Sequence, residues 1–284
     1  MKNSGNLPAF FEDPALRRYT ADAMNTTFRI YVRDEGEAAD CAVSEAFVTL
    51  ARLEELLSRF IPESDVGRIN AMKAGDALFI SDECDACLRL ALEVSAATGG
   101  YFDPCAGGMV DALKTGGAAG GATGTIALDP ERPRVTCVEE GRVLDLGGIG
   151  KGFALDRLAG ILAAHGVRDA LLTSGGSTIL GLGPAVWPVD LAHRDGTRRI
   201  GLCGAALAAS GDSQQGAHIV DPGNGAAAAH YRHVWVQHPR AAQADALATA
   251  CYAMPPDVLA EFIARGPAEC RVFSDPDLPP DPRS

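Results

Sequence analysis

The chain has 284 residues, of which 47% are hydrophobic and 22% are charged. Its 25 lysines and arginines are outnumbered by 37 aspartates and glutamates, so the formal net charge is −12 at pH 7. This balance excludes a protein that binds nucleic acid through its overall charge, because such binding neutralises phosphates with Lys and Arg. The hydrophobic content is enough for a packed core, and the length predicts one large globular domain or two closely packed ones.

The first part of the chain predicts a strand followed by helices. Alternating β-forming residues predict a strand at 27–33, and apolar residues at helical spacing predict helices at 38–58 and 82–98. A pair of glycines would end the second helix. The segment 115–124 is nearly all Gly, Ala and Thr, so it is interpreted as a flexible surface loop.

The second part predicts mainly short strands. A strand at 143–146 would lead through a glycine turn into a helix that begins near residue 152. Further helices are predicted at 244–253 and 256–264. Runs divided by Gly, Asp and Pro predict strands at 125–128, 134–138, 169–173, 178–181, 187–191, 199–203, 205–209, 231–237 and 270–274. Because helices and strands are grouped, the order predicts an α+β fold with antiparallel or mixed sheets and packed helices.

The N-terminal segment and the cysteines carry no sign of export. Polar residues and Pro8 interrupt the start of the chain before the apolar core of a signal peptide could form. No stretch approaches the roughly 18 apolar residues of a transmembrane helix. The eight cysteines are scattered, and the pair Cys84 and Cys87 has no second pair at zinc spacing, so buried free thiols are expected. The sequence therefore predicts a cytoplasmic protein, unless a leader has been removed.

The segment Asp145-Leu146-Gly147-Gly148-Ile149-Gly150-Lys151-Gly152 could bind phosphate. Glycines between a strand and a helix let the backbone approach a phosphate, and the first amides of the helix add partial positive charge. The segment matches neither GxxxxGK[ST] nor GxGxxG, so it does not support a P-loop NTPase or a Rossmann dehydrogenase. A tight turn with a solvated Lys151 is the alternative interpretation.

A second segment, residues 244–250, has the sequence A-D-A-L-A-T-A. Residues i and i+4 share one helix face, so the carboxylate of Asp245 and the hydroxyl of Thr249 would project together. Two such oxygens could serve a hard cation such as Mg²⁺, which takes few protein ligands beside phosphate and water. Alternatively, Asp245 caps a helix and Thr249 bonds a carbonyl one turn back.

The histidines provide one candidate base. His218 lies on a predicted short strand beside a Pro-Gly turn, where an imidazole could accept a proton near neutral pH. A structural, hydrogen-bonding histidine is the alternative. His230 and His233 would fall on opposite faces of an extended chain, so they predict no metal site. No GxSxG motif occurs, and a Ser-His-Asp hydrolase is not supported.

Eight short segments occur in a characteristic order: Met24-Asn25-Thr26-Thr27-Phe28, Ser58-Arg59-Phe60 with Glu63-Ser64 and Asn70, Gly100 to Pro104, Asp145 to Gly152, Gly175-Gly176, Ser210-Gly211, His218 to Pro222 and Asp245 to Thr249. Together they resemble the ApbE family, the FAD:protein FMN transferases. The resemblance covers about residues 24–250. Its most specific parts are D-L-G-G-I-x-K-G and A-D-A-L-A-T.

The resemblance implies Mg²⁺-dependent cleavage of the FAD pyrophosphate, with transfer of FMN to a threonine hydroxyl of an acceptor flavoprotein and release of AMP. It implies that Asp245, Thr249 and the carbonyl of Gly148 are the metal ligands. His218 is the candidate base for the incoming hydroxyl. The residues implied for the FAD site are Met24, Phe60, Tyr101, Phe102, Asp103, Asp145, Lys151 and Ile219.

The domain organisation that follows is a single catalytic domain over residues 24–274, between an N-terminal extension of residues 1–23 and a loose tail of residues 275–284. Two lobes packed closely within that domain are an alternative. Two other functions also stay open. One is a FAD pyrophosphatase, in which water replaces the acceptor hydroxyl, and the other is a flavin-binding protein without turnover.

Four positions depart from the family's usual pattern. Asn25 stands where Gly is usual, Gly148 where Ala or Thr is common, Cys105 where Thr often follows F-D-P, and Ser177 where Asp usually follows Gly-Gly. The change at Gly148 is compatible with metal binding, because the ligand implied there is a backbone carbonyl.

Overall fold

The computed structural model describes residues 16–33, 36–116, 124–193, 196–211, 219–223, 225–266 and 269–275. Within these ranges the elements are β1 (Arg17–Ala23), β2 (Thr26–Val32), α1 (Glu37–Leu57), α2 (Asp65–Asn70), β3 (Ala77–Phe79), α3 (Asp82–Ala97), α4 (Gly107–Thr115), β4 (Thr125–Leu128), β5 (Arg134–Glu139), α5 (Gly150–Ala164), β6 (Ala170–Ser174), β7 (Thr178–Leu182), β8 (Trp187–His193), β9 (Gly196–Leu202), β10 (Ala206–Gly211), β11 (His233–His238), α6 (Ala241–Ala253), α7 (Pro256–Ala264) and β12 (Arg271–Asp275). The α+β fold class is confirmed.

A seven-stranded antiparallel sheet forms the centre of the fold, in the order β1-β2-β6-β7-β10-β11-β12. One face packs under α1, α3, α5 and α6 and contains the main hydrophobic core. The hairpin β8–β9 contributes a second, smaller core, in which Trp187 is fully buried together with Tyr31 and Leu171. Strands β3, β5 and β4 form a third sheet, in the order β3-β5-β4, which shares no strand with the large sheet or with the hairpin β8–β9.

Helix α6 packs against the large sheet and against α5, which also contacts the sheet through β6 and β7. It contacts β10 and β11 on one side and α5 on another, and nearly all of its residues are buried. Seven of its thirteen residues are alanines, whose short side chains let neighbouring backbones approach closely. A helix that is apolar on all sides belongs in a protein interior, so the polar Asp245 and Thr249 on α6 need partners within the fold.

The predicted strand at 143–146 is wrong. In this segment only Val143 pairs, through a single bridge to Ala106. The side chain of Asn70 accepts a hydrogen bond from the Leu144 amide at 2.7 Å and donates one to the Leu144 carbonyl at 2.9 Å. An asparagine side chain therefore takes the place of a neighbouring strand, because it satisfies both backbone groups.

The predicted domain start at residue 24 falls within a β-hairpin. Strand β1, which the sequence assigns to the N-terminal extension, pairs with β2 along its whole length. Met24 and Asn25 form the turn, with φ of 51° and 57°. A two-residue hairpin with positive φ at both positions favours Gly or Asn. Asn25 therefore fits the backbone conformation at the position where the family usually has Gly.

The cysteines largely behave as predicted. All eight are free, and Cys84 and Cys87 are buried within α3. Burial raises the pKa of the Cys87 thiol to about 12, which keeps it neutral. Cys41 and Cys203 are exposed, unlike the expectation of burial. No helix in the described ranges is both long enough and apolar enough to cross a lipid bilayer.

Candidate functional site

The loop before α5 lies directly against α6. A Cβ atom built on Gly148 would be 3.4 Å from the hydroxyl oxygen of Thr249 and 3.1 Å from the ring of Phe102. Three residues that are distant in the sequence and were predicted to share one site are therefore neighbours in the structure. An added Cβ would be at ordinary contact distance from the threonine but would press on the Phe102 ring, which fits the presence of glycine there.

Asp245 is the buried carboxylate of this cluster, with 4% of its surface exposed. Its Oδ2 accepts a hydrogen bond from the Gly152 amide at 3.1 Å and lies 3.6 Å from Nζ of Lys151. Its Oδ1 accepts one from the Thr178 hydroxyl at 3.2 Å. Because α6 begins at Ala241, four residues earlier, Asp245 does not cap its own helix. It joins α6 to α5 and β7 instead.

Thr249, one helical turn after Asp245, and Gly148, which lies beside Thr249, carry further oxygens. The Thr249 hydroxyl donates to the backbone carbonyl of Asp245 at 3.2 Å, as the local alternative predicted, and its lone pairs remain available as acceptors. The Gly152 amide, four residues after Gly148, donates to Asp245. In the described ranges no backbone amide donates to the Gly148 carbonyl, so this carbonyl has capacity for another partner.

These oxygens fit a hard divalent cation. Mg²⁺ prefers oxygen ligands and usually retains waters or phosphate oxygens beside one or two carboxylates. The described part of the chain contains no group of three or more His, Cys, Asp and Glu residues that could hold a metal. Of the three groups assigned here, the carboxylate of Asp245 is the charged one, and a hydroxyl and a carbonyl would complete the set.

Lys151 supplies positive charge at the same place. Its Nζ donates to the Gly147 carbonyl at 2.9 Å and lies within ion-pair distance of Asp245. Its side chain is partly exposed, so the ammonium can also meet a ligand. The first amides of α5 add the partial positive charge of a helix N-terminus. The combination favours an anionic group such as a phosphate.

Asp145 and Arg59 hold the loop before α5 in place. Oδ1 of Asp145 accepts a hydrogen bond from the Gly147 amide at 2.8 Å, and Oδ2 lies 2.9 Å from Nε of Arg59. The guanidinium also donates to both carboxylate oxygens of Asp111, at 2.8 and 2.6 Å. This hydrogen bonding holds the pKa of Asp111 below its usual value. The arginine side chain is only 7% exposed, and it joins α4 to the loop.

Three of the predicted site residues follow one another before α4. Phe102 is buried beside Gly148, whereas Tyr101 is only partly buried. Oδ1 of Asp103 accepts a hydrogen bond from the Cys105 amide at 2.8 Å, which closes a local turn. Phe102 therefore contacts the cluster directly, and Asp103 shapes the entry to α4.

The other predicted residues are less closely connected to the cluster. The amide of Met24 donates to Oε1 of Glu54 at 2.6 Å, and Phe60 is 77% exposed. Ile219 is buried in the main core. Among the described residues, no hydrogen bond or ion pair joins Met24, Phe60 or Ile219 to Asp245 or Thr249. His218 lies outside the described residues, as do residues 117–123 of the predicted loop.

The sequence did not reveal two residues that support the cluster. Thr178, which donates to Asp245, follows the Gly-Gly turn with no feature that marks it. Asp156 binds the first two amides of α6. Its only signal is its spacing of four residues from Gly152, which puts both on one face of a helix.

The chain is similar to known proteins over most of its length. The ApbE family model matches residues 24–273. The FAD:protein FMN transferase of Treponema pallidum (strain Nichols) is 26% identical over 303 aligned positions, which cover 88% of this chain and 81% of the relative.

Solved structures are similar over most of the chain. The ApbE protein of Thermotoga maritima superposes with a TM-score of 0.78 at 22% identity, covering 91% of this chain and 94% of its own. The flavinyl transferase ApbE of Pseudomonas stutzeri, in its apo form, gives 0.78 at 23% identity with the same coverage. Since the family match extends from the turn of the first hairpin into the last strand, this chain belongs to the ApbE family.

Proposed function

We propose that this protein transfers FMN from FAD to a threonine hydroxyl of an acceptor flavoprotein, with Mg²⁺ as cofactor and AMP as the second product. The observation that carries the proposal is the meeting of Asp245, Thr249 and the Gly148 backbone beside Lys151. Membership of the ApbE family and the name of the T. pallidum relative support the same activity.

The reaction exchanges a phosphoanhydride bond for a phosphoester bond. The acceptor oxygen forms a bond to the phosphorus of the FMN half, the P–O–P bridge breaks, and AMP leaves with the bridging oxygen. Neither step changes an oxidation state. A threonine hydroxyl is a poor nucleophile at neutral pH, so its proton must pass to a base. His218 is the residue we assign to that role, since an imidazole titrates near neutral pH.

Asp245, Thr249 and the Gly148 carbonyl would hold the Mg²⁺. When bound, the ion would supply Lewis-acid stabilisation of the diphosphate charge. The chain carries a net charge of −12 and offers FAD no overall attraction. Lys151 and the first amides of α5 would therefore bind the diphosphate locally, and Phe102 would close the side of the site next to Gly148.

The test is incubation of the protein with FAD, Mg²⁺ and an acceptor that presents a threonine, followed by mass spectrometry. We expect the acceptor to gain the mass of FMN less one water, with one AMP formed for each flavin attached. Chelation of the metal, or replacement of the acceptor threonine by alanine, should abolish the product. A folded protein that gives neither flavinylated acceptor nor AMP would refute the proposal.

The same spectra distinguish the two alternatives. AMP and free FMN formed without an acceptor would indicate a FAD pyrophosphatase. Tight binding of FAD with no AMP would indicate a flavin-binding protein without turnover. Either outcome, with no flavinylated acceptor when the acceptor is supplied, would overturn transferase activity while leaving the nucleotide site in place.

Replacement of Arg59 by methionine should weaken FAD binding more than it slows turnover. The substitution leaves Asp145 and Asp111 without their shared cation, and hydrogen bonds to charged groups contribute about 1.5–3 kcal/mol. We expect KM for FAD to rise about tenfold, since each 1.4 kcal/mol is a factor of ten in binding. Steady-state kinetics with varied FAD measures this rise.

Arg59→Lys is the matched control for this substitution. Lysine keeps the positive charge but cannot form the bidentate hydrogen bonds to Asp111. Its KM for FAD should therefore lie between those of the wild-type protein and Arg59→Met. A KM that is unchanged in both variants would show that the loop keeps its conformation without this arginine.

A further inference from the structure

The first turn of α6 is capped from a different helix. The amides of Ala241 and Ala242 donate to Oδ1 and Oδ2 of Asp156, on α5, at 2.8 and 3.0 Å. The first amides of a helix have no partner within it, and the residue before α6, Arg240, provides no side-chain cap. Asp156 therefore satisfies two amides that α6 itself leaves open.

The same face of α5 meets α6 one turn earlier, at Gly152. A Cβ atom there would be 2.1 Å from the Ala241 carbonyl oxygen and 2.8 Å from the Cα atom of Ala242. The two backbones are thus in direct contact. Because the Gly152 amide also donates to Asp245, α5 binds α6 at its first residues and again at the carboxylate of the candidate site.

The carboxylate of Asp156 sits in surroundings that disfavour its charge. Burial raises its pKa, although the bonds from Ala242 and Ala241 and the nearby charges of Arg240 and Arg157 lower it. Keeping a charged group there costs free energy that an apolar residue would avoid. An apolar residue could not replace the two hydrogen bonds that Asp156 accepts from the amides of Ala241 and Ala242.

Helix α6 depends on these hydrogen bonds for its position because its own side chains are short. Seven of its own thirteen side chains are alanine, and short side chains make shallow ridges that specify the alignment of two helices weakly. A pair of charge-assisted hydrogen bonds, by contrast, is directional. The hydrogen bonds from Ala241 and Ala242 to Asp156 therefore oppose sliding of α6 along its axis relative to α5.

We propose that Asp156 is a positioning residue that sets the register of α6 against the loop before α5. Through that register it holds Asp245 and Thr249 beside the Gly148 carbonyl, where they can bind a divalent cation. This inference rests on the proposed function, because it assigns Asp156 to the metal site of the transferase. Asp156 itself touches neither the metal nor the substrate.

The test measures metal binding without turnover. Mn²⁺, which takes the same oxygen ligands as Mg²⁺, is titrated into the FAD-free protein, and free Mn²⁺ is followed by electron paramagnetic resonance. Loss of a partner that orients a metal ligand typically weakens affinity about 10–100-fold. We expect Asp156→Ala to fall in that range and Asp156→Asn, which retains one acceptor oxygen, to lose less.

Asp257→Asn is the matched control, since Asp257 is an exposed acid in the first turn of α7. It should bind Mn²⁺ as the wild-type protein does. A second measurement is amide hydrogen exchange in the metal-free protein. Asp156→Ala should speed exchange at Ala241, Ala242 and Gly152, whereas a general loss of stability would speed exchange throughout the core.

The outcomes separate this inference from the proposed function. If the wild-type protein binds Mn²⁺ and Asp245→Ala does not, but folded Asp156→Ala binds as tightly as wild type, only the positioning role is overturned. If wild-type binding does not depend on Asp245, the metal site and the positioning role both fail. If Asp156→Ala does not fold, Asp156→Asn decides by the same two measurements.

Discussion

Asp245→Ala should abolish FMN transfer, with kcat/KM at least about 10³-fold below that of the wild-type protein at saturating Mg²⁺. Asp245 is the charged member of the proposed ligand set of Asp245, Thr249 and the Gly148 carbonyl, so its removal takes away the charge that would hold the cation. A bound metal supplies several kcal/mol of charge stabilisation, and about 4 kcal/mol corresponds to that factor. The measurement is flavin attachment at varied Mg²⁺.

The substitution also removes an acceptor from Gly152 and Thr178. An unsatisfied buried donor costs about 1–3 kcal/mol, so the assays are made well below the unfolding temperature of each variant. Asp245→Asn is the control, because it keeps the shape and one acceptor oxygen but not the charge. It should be better folded than Asp245→Ala and equally inactive. Mg²⁺-dependent transfer by either variant would place the metal elsewhere.

The long elements could be predicted because their patterns are strong. Helices α1 and α3 each carry an apolar stripe against the main core, and both were predicted within about a residue at either end. Strand β2 likewise alternates between the two faces of the sheet. Periodicity identifies the two helices because one face of each is buried and the other is not. In β2 it separates Phe28, Ile30 and Val32 of the main core from Tyr31 of the second core.

Three of the elements that were missed, α2, β3 and α4, lack such a pattern. Helix α2 has six residues and β3 has three, which is too short for a period to appear. Helix α4 begins with two glycines, the residues that favour a helix least after proline. The segment 143–146 has a β-rich composition, but its backbone is bound by the side chain of Asn70 from another part of the chain.

The candidate site likewise has features that the sequence predicts and features that it does not. The spacing of Asp245 and Thr249 predicted a shared helix face, and the structure adds that Gly148 lies beside it. The contacts that hold Asp245, from Gly152 and Thr178, join residues far apart in the sequence and leave no local signal. The start of α6 was placed three residues late for a related reason: its cap comes from α5, so no capping residue precedes it.

Gly152→Ala should destabilise the protein, although alanine favours a helix more than glycine. The added Cβ would lie 2.1 Å from the Ala241 carbonyl oxygen, and a backbone atom cannot move aside as a side-chain end can. Overpacking costs typically about 1–3 kcal/mol and occasionally more, against a gain in helix propensity of up to about 1 kcal/mol. We expect a net loss of about 2 kcal/mol in the free energy of unfolding, measured in urea.

Gly160→Ala provides the matched control within the same helix. Gly160 is exposed, and an added Cβ would meet no atom within 4 Å, so only the backbone effect remains and the protein should gain about 0.5–1 kcal/mol. A loss of stability in Gly152→Ala and a gain in Gly160→Ala would show that the close approach of α5 and α6, and not helix propensity, decides the effect at residue 152. Gly152→Ala should also impair FMN transfer, because separation of the helices moves Asp245 away from the loop before α5. A stabilised and active Gly152→Ala variant would show that α6 can shift without disturbing the site.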